Sequence, residues 1–543
     1  MEIRFLGHAG FVVETESTVV VADPWLSREG AFASGWMQLP QNHHLASLVR
    51  EKLADPTKER FVYLSHEHED HFDRAFLASL PRGDVTFVVP RFRRRTLVDT
   101  LRALGCAKVI ACGDGDKIPI PGGYLRMFVQ DGGLNRDSGV LVKAQSAAFL
   151  DLNDCKIHDR LAQIAAQEGP IDVLAAQFSG AIWHPTCYEY SPKTYASISR
   201  RKMFGKFEAV ARALETVRPR MYLASAGPAC FLDPDLIHLN FEEVNIFPRA
   251  QKLFAYLRKR FKTVPTELLE PMPGDVLDPV TGKFSVLSGE RLDDARFEEY
   301  VRDYAARMAH LFAGRNVTDQ AELGRIFSRL RAEMEEKLSH LELRDRVRVP
   351  LYVSLRELPN RMLRIDFPAG RVEEVAALAD ERRYTFELRA SDALRVLDRA
   401  MTWEELFLSF RVRLSRVPDE YDPVLHGFLA LEAKDLGSLC DSIREVEANR
   451  ERAIVDTGGA LYSVQRYCPH QGADVTEGWI EGGTVLVCPR HRWHFDLEKQ
   501  GRCTLNDSSL CAERLPPNVE PMPKTVHKLD ERAPDLVALN TAS

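Results

Sequence analysis

The chain has 543 residues, 45% of them hydrophobic and 28% charged, the balance of an ordinary globular protein. That length implies three or four domains, and a net charge of −7 excludes a general binder of nucleic acid or anionic membrane. Ten cysteines in so long a chain do not make a disulfide scaffold, so clustered Cys and His are read first as metal ligands.

The opening residues, MEIRFLGHAGFVVE, lack the basic start and apolar run of a signal peptide. No apolar stretch approaches the roughly 20 residues of a membrane span, so a cytoplasmic location with no membrane partner is expected. Short β-branched runs follow: VVVAD (19–23), RFVYLSH (60–66), DVTFVVP (84–90), KVIAC (108–112), GVLVKA (139–144) and DVLAAQF (172–178). DRAFLASL and RTLVDTLRALG between them carry helical periodicity. Residues 1–275 thus predict an α/β layered domain whose polar residues gather on strand-terminal loops. Residues 276–430 predict a helical and α+β extension. It starts with the charged helices RFEEYVRDYAARMAHLF and QAELGRIFSRLRAEMEEKLSHL and ends in TWEELFLSFRVRLSRVPDEYDP. Residues 431–543 are rich in Gly, Cys and short strands, a small all-β domain with an irregular tail after Pro516. The scattered Cys106, Cys112, Cys155, Cys187, Cys230 and Cys440 read as small buried apolar residues.

FVYLSHEHEDHFD (61–73) crowds His66, His68, Asp70 and His71 into one turn that begins as an apolar strand. Residues at i and i+2 on a strand end reach one ion, and those two further on turn toward a neighbouring position. This pattern resembles the metallo-β-lactamase superfamily, whose αββα sandwich binds one or two ions with this loop. GHAGFVVE and VVVADPWL look like the sugar-phosphate and phospholipid enzymes of that superfamily. The resemblance implies that Asp23 orients the loop, that His8 lies near the metal, and that Asp154 of FLDLNDC is the bridging aspartate. Two further histidines of that pattern are missing. MFVQDGGLNRDSG offers Gln130 and Asp131 instead, and MYLASAGPACF has none, which leaves His158, His184 and His238 as substitutes. A two-metal hydrolase needs both ions to activate water and hold the leaving oxygen. Two histidines and one carboxylate with open positions suffice for non-haem iron, and His66, His68, Asp70, His71 and Asp154 supply them.

Near the end, Cys468-x-His470 and Cys488-x-x-His491 place one thiolate and one imidazole on each of two loops. The mixture suits a [2Fe–2S] cluster whose inner iron takes two Cys and whose outer iron takes two His, with a Cys₂His₂ zinc site as the rival. Pro469 and Pro489 stiffen the loops, and Gly472 permits close backbone approach. Residues 430–530 resemble the Rieske family, which implies that Cys468, His470, Cys488 and His491 bind the cluster. Ala473 and Arg490 stand where the respiratory-complex type carries extra cysteines, so the ferredoxin or oxygenase type fits better. Cys503 and Cys511 are expected to pack rather than ligate, and His494 to be an ordinary imidazole.

A hydrolase needs no electrons, and a Rieske cluster has no use except to move them. Together the two sites point to a redox reaction at the first metal. DPWL, SHEHEDH, NDC, QFSGAIWHP and AGPACFLDP, with TWEELFLSFRVRLSRVPDEYDP, resemble the CMP-N-acetylneuraminate hydroxylase family, although Ser409 replaces a glycine there. That family also unites the two domains, with its Rieske domain first in the chain, and hydroxylates an N-acetyl group with dioxygen. The resemblance implies a monooxygenase holding one or two non-haem iron ions and a Rieske cluster. Its small substrate, of nucleotide-sugar or amino-bearing type, would meet O2 and electrons from an external reductase or ferredoxin. A homo-oligomer whose cluster serves a neighbouring subunit is compatible with it. Beside His8, candidate substrate residues are Trp183, His184, Lys193 and Tyr195, in QFSGAIWHP and SPKTY. Phosphate-binding cations are available in PRFRRR (Arg91, Arg93, Arg94, Arg95) and SRRKMFGK (Arg200, Arg201, Lys202, Lys206), each also read as a solvated basic face. The competing expectation is a hydrolase of phosphate or lactone bonds with a regulatory cluster.

Overall fold

The computed structural model describes residues 1–81, 83–132, 135–144, 147–287, 291–314, 317–506 and 508–516; the tail expected to be irregular lies outside them. In Thr18–Ala22 every side chain is buried, Val20 and Ala22 in one apolar layer and Val19 and Val21 in another. Such a strand is covered on both faces. The sheet around it runs Phe284–Ser285, Val276–Leu277, Glu2–Gly7, Gly10–Glu14, Thr18–Ala22, Glu59–Tyr63, Thr86–Pro90 and Lys108–Cys112. It thus takes two strands from beyond residue 275. A second sheet runs Glu267–Leu269, Met221–Ser225, Val173–Gln177, Ala147–Asp151, Asn135–Ala144, Gly123–Gly132 and Lys117–Ile120.

Phe11, Val20, Tyr63 and Val88 of the first sheet pack with Met127, Val140, Phe149 and Ala175 of the second. Helices Ala46–Ala54 and Thr96–Ala103 cover the outer face of the first sheet. Leu161–Glu168, Pro192–Val217 and Ala250–Arg260 cover that of the second. This is the αββα sandwich that the metal-loop pattern implies. Thr18–Ala22, Glu59–Tyr63 and Thr86–Pro90 are parallel neighbours, as are Ala147–Asp151, Val173–Gln177 and Met221–Ser225. Parallel sheets bind ligands beyond the carboxyl ends of their strands. Asp23, the loop Ser65–His71 and Asp154 all follow such ends.

SPKTY and SRRKMFGK lie on one continuous helix, Pro192–Val217. Ser191 caps it, its Oγ accepting from the Thr194 N–H at 3.2 Å, and Pro192 opens it where a missing N–H costs nothing. The extension is a five-stranded sheet in the order Arg371–Val375, Met362–Asp366, Leu351–Leu355, Arg383–Leu388 and Arg413–Val417. Helix Gln320–His340 buries Leu323, Phe327 and Leu330 against it. The same apolar core takes Trp36, Trp183, Phe231 and Phe247 from loops of the sandwich, with Trp36 stacked on Phe410 at 5.8 Å. The C-terminal unit has two small sheets, one of three strands and one of four, around Val455, Val464, Leu486 and Phe495. Among the described residues no helix is long and apolar enough to cross a membrane.

Arg411 and Asp233 form a buried ion pair at 2.8 Å where the extension meets the sandwich, and Arg411 also donates to the Ala33 carbonyl at 2.9 Å. Removing one partner of such a pair leaves a charge in an apolar layer. Arg411→Met is therefore expected to destabilise the protein by about 3–5 kcal/mol, read as a lower urea midpoint by tryptophan fluorescence.

Candidate functional site

The strand Glu59–Tyr63 ends beside Asp23, and the next turn is folded around that carboxylate. Asp23 accepts from the Ser65 backbone N–H at 2.8 Å and from the Ser65 hydroxyl at 2.5 Å. Its Oδ2 lies 2.7 Å from His71 Nδ1, with both side chains fully buried. A histidine whose Nδ1–H is held by a carboxylate presents Nε2 outward in a fixed orientation. His71 Nε2 faces Asp70 Oδ2 at 3.7 Å and Asp154 Oδ1 at 3.9 Å. His8 Nε2 lies 3.0 Å from Asp70 Oδ2. Two groups of candidate ligands share His71: His8, Asp70 and His71, and His66, His71 and Asp154. Within each group the ligand atoms lie within 4.8 Å of one another.

His66 and His68 occupy the other side of the turn. His66 Nδ1 lies 2.9 Å from the Ser65 hydroxyl and 3.2 Å from Asp137 Oδ1, while its Nε2 is 2.9 Å from His68 Nδ1. His68 turns its Nε2 to Glu404 of the extension at 3.4 Å, so it is not in either group of three. Burial lowers the His68 pKa, but the hydrogen bond and charge of Glu404 outweigh it and raise it to about 9. Burial pushes Asp137 up to about 6, against the charge of Lys156. Asp70 is held down to about 2: burial raises it, but His71 and His8 prevail.

The donor set fits a metal. Asp70 Oδ1, His71 Nε2 and Asp154 Oδ1 are buried and have no hydrogen-bond partner. Three unsatisfied acceptors converging on one place carry a desolvation cost that a cation removes. Backbone strain gathers here too: His8, Asp23, Asn153 and Ala226 all have positive φ, between 38° and 52°. Such residues persist where the surroundings over-determine them. A small cavity of ≈ 70 Å³ opens beside His8, lined by Phe5, Phe178, Pro228 and Met272 among others.

The C-terminal loops bring Cys468, His470, Cys488 and His491 together. Both cysteines are buried. The Cys468 thiol, hydrogen-bonded beside it, lowers the Cys488 pKa against the effect of burial, and the backbone N–H groups of His491 and Arg490 lower it further. A sulfur surrounded by donors is prepared to be a thiolate. The two imidazole rings stand 4.7 Å apart, and Trp493 stacks on His470 at 4.3 Å. His470 Nδ1 is buried with no hydrogen-bond partner. Gly472 has a φ of +67°, which explains a glycine at that turn. These residues fit a two-cysteine, two-histidine cluster. Cys503 packs in the core of this unit, whereas Cys511, expected to pack, is exposed because its side chain leaves the small sheets. His494 lies 3.3 Å from Glu481.

Other sequence candidates fall elsewhere. His158 sits in a short turn with its Nδ1 unpartnered, His184 lies 3.0 Å from the Tyr190 hydroxyl, and His238 faces Glu242 at 3.7 Å; none joins the two ligand groups. Trp183 stacks on His426, Tyr195 donates to Glu242 at 2.7 Å, and Lys193 is exposed at the start of its helix. Gln130 and Asp131 bind backbone, accepting from Lys156 N and Arg93 N. Asp137 stands in the site instead, four residues beyond the doubled glycine of MFVQDGGLNRDSG. Nothing in the sequence singles it out except the apolar run that begins two residues on, GVLVKA (139–144). Glu404 carried no such signal, because only the three-dimensional fold brings the extension here.

The two sites are joined by a short piece of chain. Five residues after Asp154, Asp159 pairs with Arg490, which lies between Pro489 and His491, at 2.9 Å, with both side chains nearly buried. Asp159 also accepts from the Asp474 N–H at 3.3 Å, and Arg490 donates to the Gln471 carbonyl at 3.0 Å, so both cluster loops are tied to it. Five residues span at most about 18 Å.

A sequence model of the Rieske [2Fe–2S] domain family matches residues 430–516. The C-terminal unit is a Rieske domain. A relative from Mycolicibacterium smegmatis, whose name describes a Rieske 2Fe–2S iron–sulfur protein and no activity, is 28% identical over 538 residues, 95% of this chain and all of its own. Among solved structures, a metallo hydrolase from Ignicoccus hospitalis is similar over 51% of this chain and 97% of its own, at 16% identity and a TM-score of 0.34. A diiron β-hydroxylase from Streptomyces venezuelae is similar over 50% of this chain and 52% of its own, at 15% identity and a TM-score of 0.31. The sandwich itself is metallo-β-lactamase-like by its topology.

Because Asp23 is the nearest partner of the His71 ring, at 2.7 Å against 3.3 Å for the Ser65 hydroxyl, Asp23→Asn is expected to weaken metal binding at the first site about 10–100-fold. Titration against a chelator reads this, and the cluster absorbance should stay unchanged.

Proposed function

We propose that the protein is a Rieske-coupled non-haem iron monooxygenase that hydroxylates a small substrate with O2 and electrons from an external reductase or ferredoxin. One observation carries the reading: the chain that leaves Asp154 is clamped five residues later, through Asp159, to the loop that carries His491. A hydrolase gains nothing from that junction, whereas an electron path requires it.

Cys468, His470, Cys488 and His491 would hold the cluster. His66, His71, Asp70 and Asp154, with His8 and Asp137 beside them, would hold iron. When bound, the cluster supplies single electrons at a potential raised by its histidines, and the iron supplies open positions for dioxygen next to substrate. The chain's own residues prepare that chemistry. Asp23 holds His71 by its Nδ1, which turns Nε2 toward Asp70 and Asp154. Glu404 holds His68 by its Nε2, which closes the extension over the turn. Trp493, stacked on His470, and Tyr421, edge-on to it at 5.8 Å, keep that ring shielded from water. Asp159 and Arg490 neutralise each other in the junction, and their pairing holds the His491 loop to the turn after Asp154.

The finer resemblance, to hydroxylases acting on a nucleotide sugar, is supported by the motifs DPWL, SHEHEDH and NDC. The nucleotide sugar itself belongs to that family, not to this chain.

His66→Ala is expected to keep the cluster spectrum while dioxygen-driven oxidation of the reduced cluster slows to the rate of protein stripped of its first-site metal. Stopped-flow absorbance with parallel iron and zinc analysis checks this. Full turnover by a zinc-loaded first site without reductant would replace the oxygenase with the hydrolase.

A further inference from the structure

Most cations of this chain have a partner within reach. Arg91, Arg93, Arg94 and Arg95, the basic run of the sequence, each lie within ion-pair distance of a carboxylate: Asp116, Glu445, Asp435 and Asp99 respectively. Lys337, deep in the extension, donates to the Leu429 carbonyl at 3.2 Å and lies over the rings of Trp403 and Phe428. Three lysines differ. Among the described residues, no carboxylate comes within 4.0 Å of the amino groups of Lys156, Lys202 or Lys206, and none of the three donates a side-chain hydrogen bond.

Their placement is specific. Lys202 and Lys206 are one turn apart on helix Pro192–Val217 and so share a face. Gly205 of the same helix lies against Arg492 of the cluster loop, 3.1 Å from where its Cβ would stand. Lys156 comes from the six-residue piece between Asp154 and Asp159 that joins the two sites. Burial lowers the pKa of His66, His470 and His491, and the charge of Lys156 adds to that lowering in all three. Each of the three side chains is surrounded by protein yet keeps some accessible surface, as groups lining a recess do.

Like charges one helical turn apart destabilise each other, and an ammonium taken out of bulk water without a counter-ion costs free energy. No carboxylate at ion-pair distance offsets that cost here. Burial, and after it the neighbouring cations Arg416 and Arg201, bring Lys202 down to about 7. Lys206 is likewise brought to about 7, by burial and then by Lys156, although Asp154 and Asp137 oppose this from beyond ion-pair distance.

We propose that Lys156, Lys202 and Lys206 form the seat of a dianionic phosphate group on the substrate, holding it between the cluster loops and the His66–Asp154 ligand set. Three compact point charges match a phosphate monoester better than a singly charged carboxylate. In calling the bound molecule the substrate, the inference rests on the oxygenase reading; the anion seat itself does not.

The test uses full-length protein with its cluster intact and inorganic phosphate as the probe. Phosphate is expected to raise the thermal midpoint by roughly 2–5 °C at saturation, and acetate at equal ionic strength is not. It should also shift the electron paramagnetic resonance of the reduced cluster, because Lys156 and Lys206 act on His491. In Lys202→Gln and in the double variant with Lys206→Gln, both responses should vanish. Without phosphate both variants should melt higher than the parent, since a repulsion is removed; lysines with a merely structural role would melt lower. The proposal falls if phosphate stabilises parent and variants alike, if acetate acts as well as phosphate, or if the variants melt lower. Phosphate binding without oxidation of the cluster by dioxygen would leave the seat standing and overturn the oxygenase. Dioxygen-driven oxidation with no phosphate response would do the reverse.

Discussion

The arrangement of this protein hangs on one carboxylate. Asp159 accepts from the guanidinium of Arg490 and from the backbone of Asp474, and Arg490 in turn donates to the Gln471 carbonyl. Residues of both cluster loops are thereby locked to a turn of the sandwich. That turn is the continuation of the strand Ala147–Asp151, whose end also delivers Asp154 to the first ligand set. A buried ion pair adds little net stability, because desolvation offsets most of its attraction. What it supplies is register: only one placement of the two loops satisfies both carboxylate oxygens and the carbonyl of Gln471.

Two layers of polar support explain why the first site forms at all. The turn Ser65–His71 brings three imidazoles and three carboxylates, Glu67, Glu69 and Asp70, into a few residues, which disfavours apolar packing there. Asp23 compensates from the neighbouring strand by fixing Ser65 and His71, and it does so with a positive φ that only a crowded local structure maintains. The cost is absorbed by the apolar layers around it. Val20, Tyr63, Phe149 and Ala175 lie in one continuous core directly beneath the strand ends that bear the ligands. The rigid part of the fold and the strained part are thus adjacent, and the second depends on the first.

Much of this was legible in the chain. The α/β layering follows from short β-branched runs, such as Thr18–Ala22, and from the helical periodicity between them, and its αββα form is what the resemblance of the metal loop implies. The two cysteine–histidine loops are readable because their spacing is local. The less legible parts are those made by distance. Asp137 lies on the return strand of the hairpin Gly123–Gly132 and Asn135–Ala144, and its approach to His66 depends on that pairing, not on any motif. Glu404 comes from a helix more than 300 residues away from His68. SRRKMFGK reads as a basic patch because a one-dimensional window cannot tell a solvated face from one pressed against another domain. In the folded chain it is part of a 26-residue helix whose inner face, including Phe207 and Leu214, is buried in the outer layer of the sandwich.

The order of domains along the chain matters less than the surfaces that meet. The Rieske unit comes last, yet it docks on the sandwich, over the turn after Asp154 and the middle of helix Pro192–Val217. Gly205 shows how specific that surface is. A glycine inside a helix costs about 0.5–1 kcal/mol relative to alanine, a loss with no purpose on a free helix face. Here the Arg492 side chain lies 3.1 Å from where its Cβ would stand, so any side chain would press on it. Arg212, two turns further on, lies 3.9 Å over the ring of Trp479, and Arg492 lies over the same ring at 5.2 Å, so the contact continues along the helix. Residues that are indifferent or unfavourable for the helix alone become sensible once the cluster unit is seated on it. The helix was therefore shaped by its partner domain, and the two sites are parts of one structure, not two modules on a string.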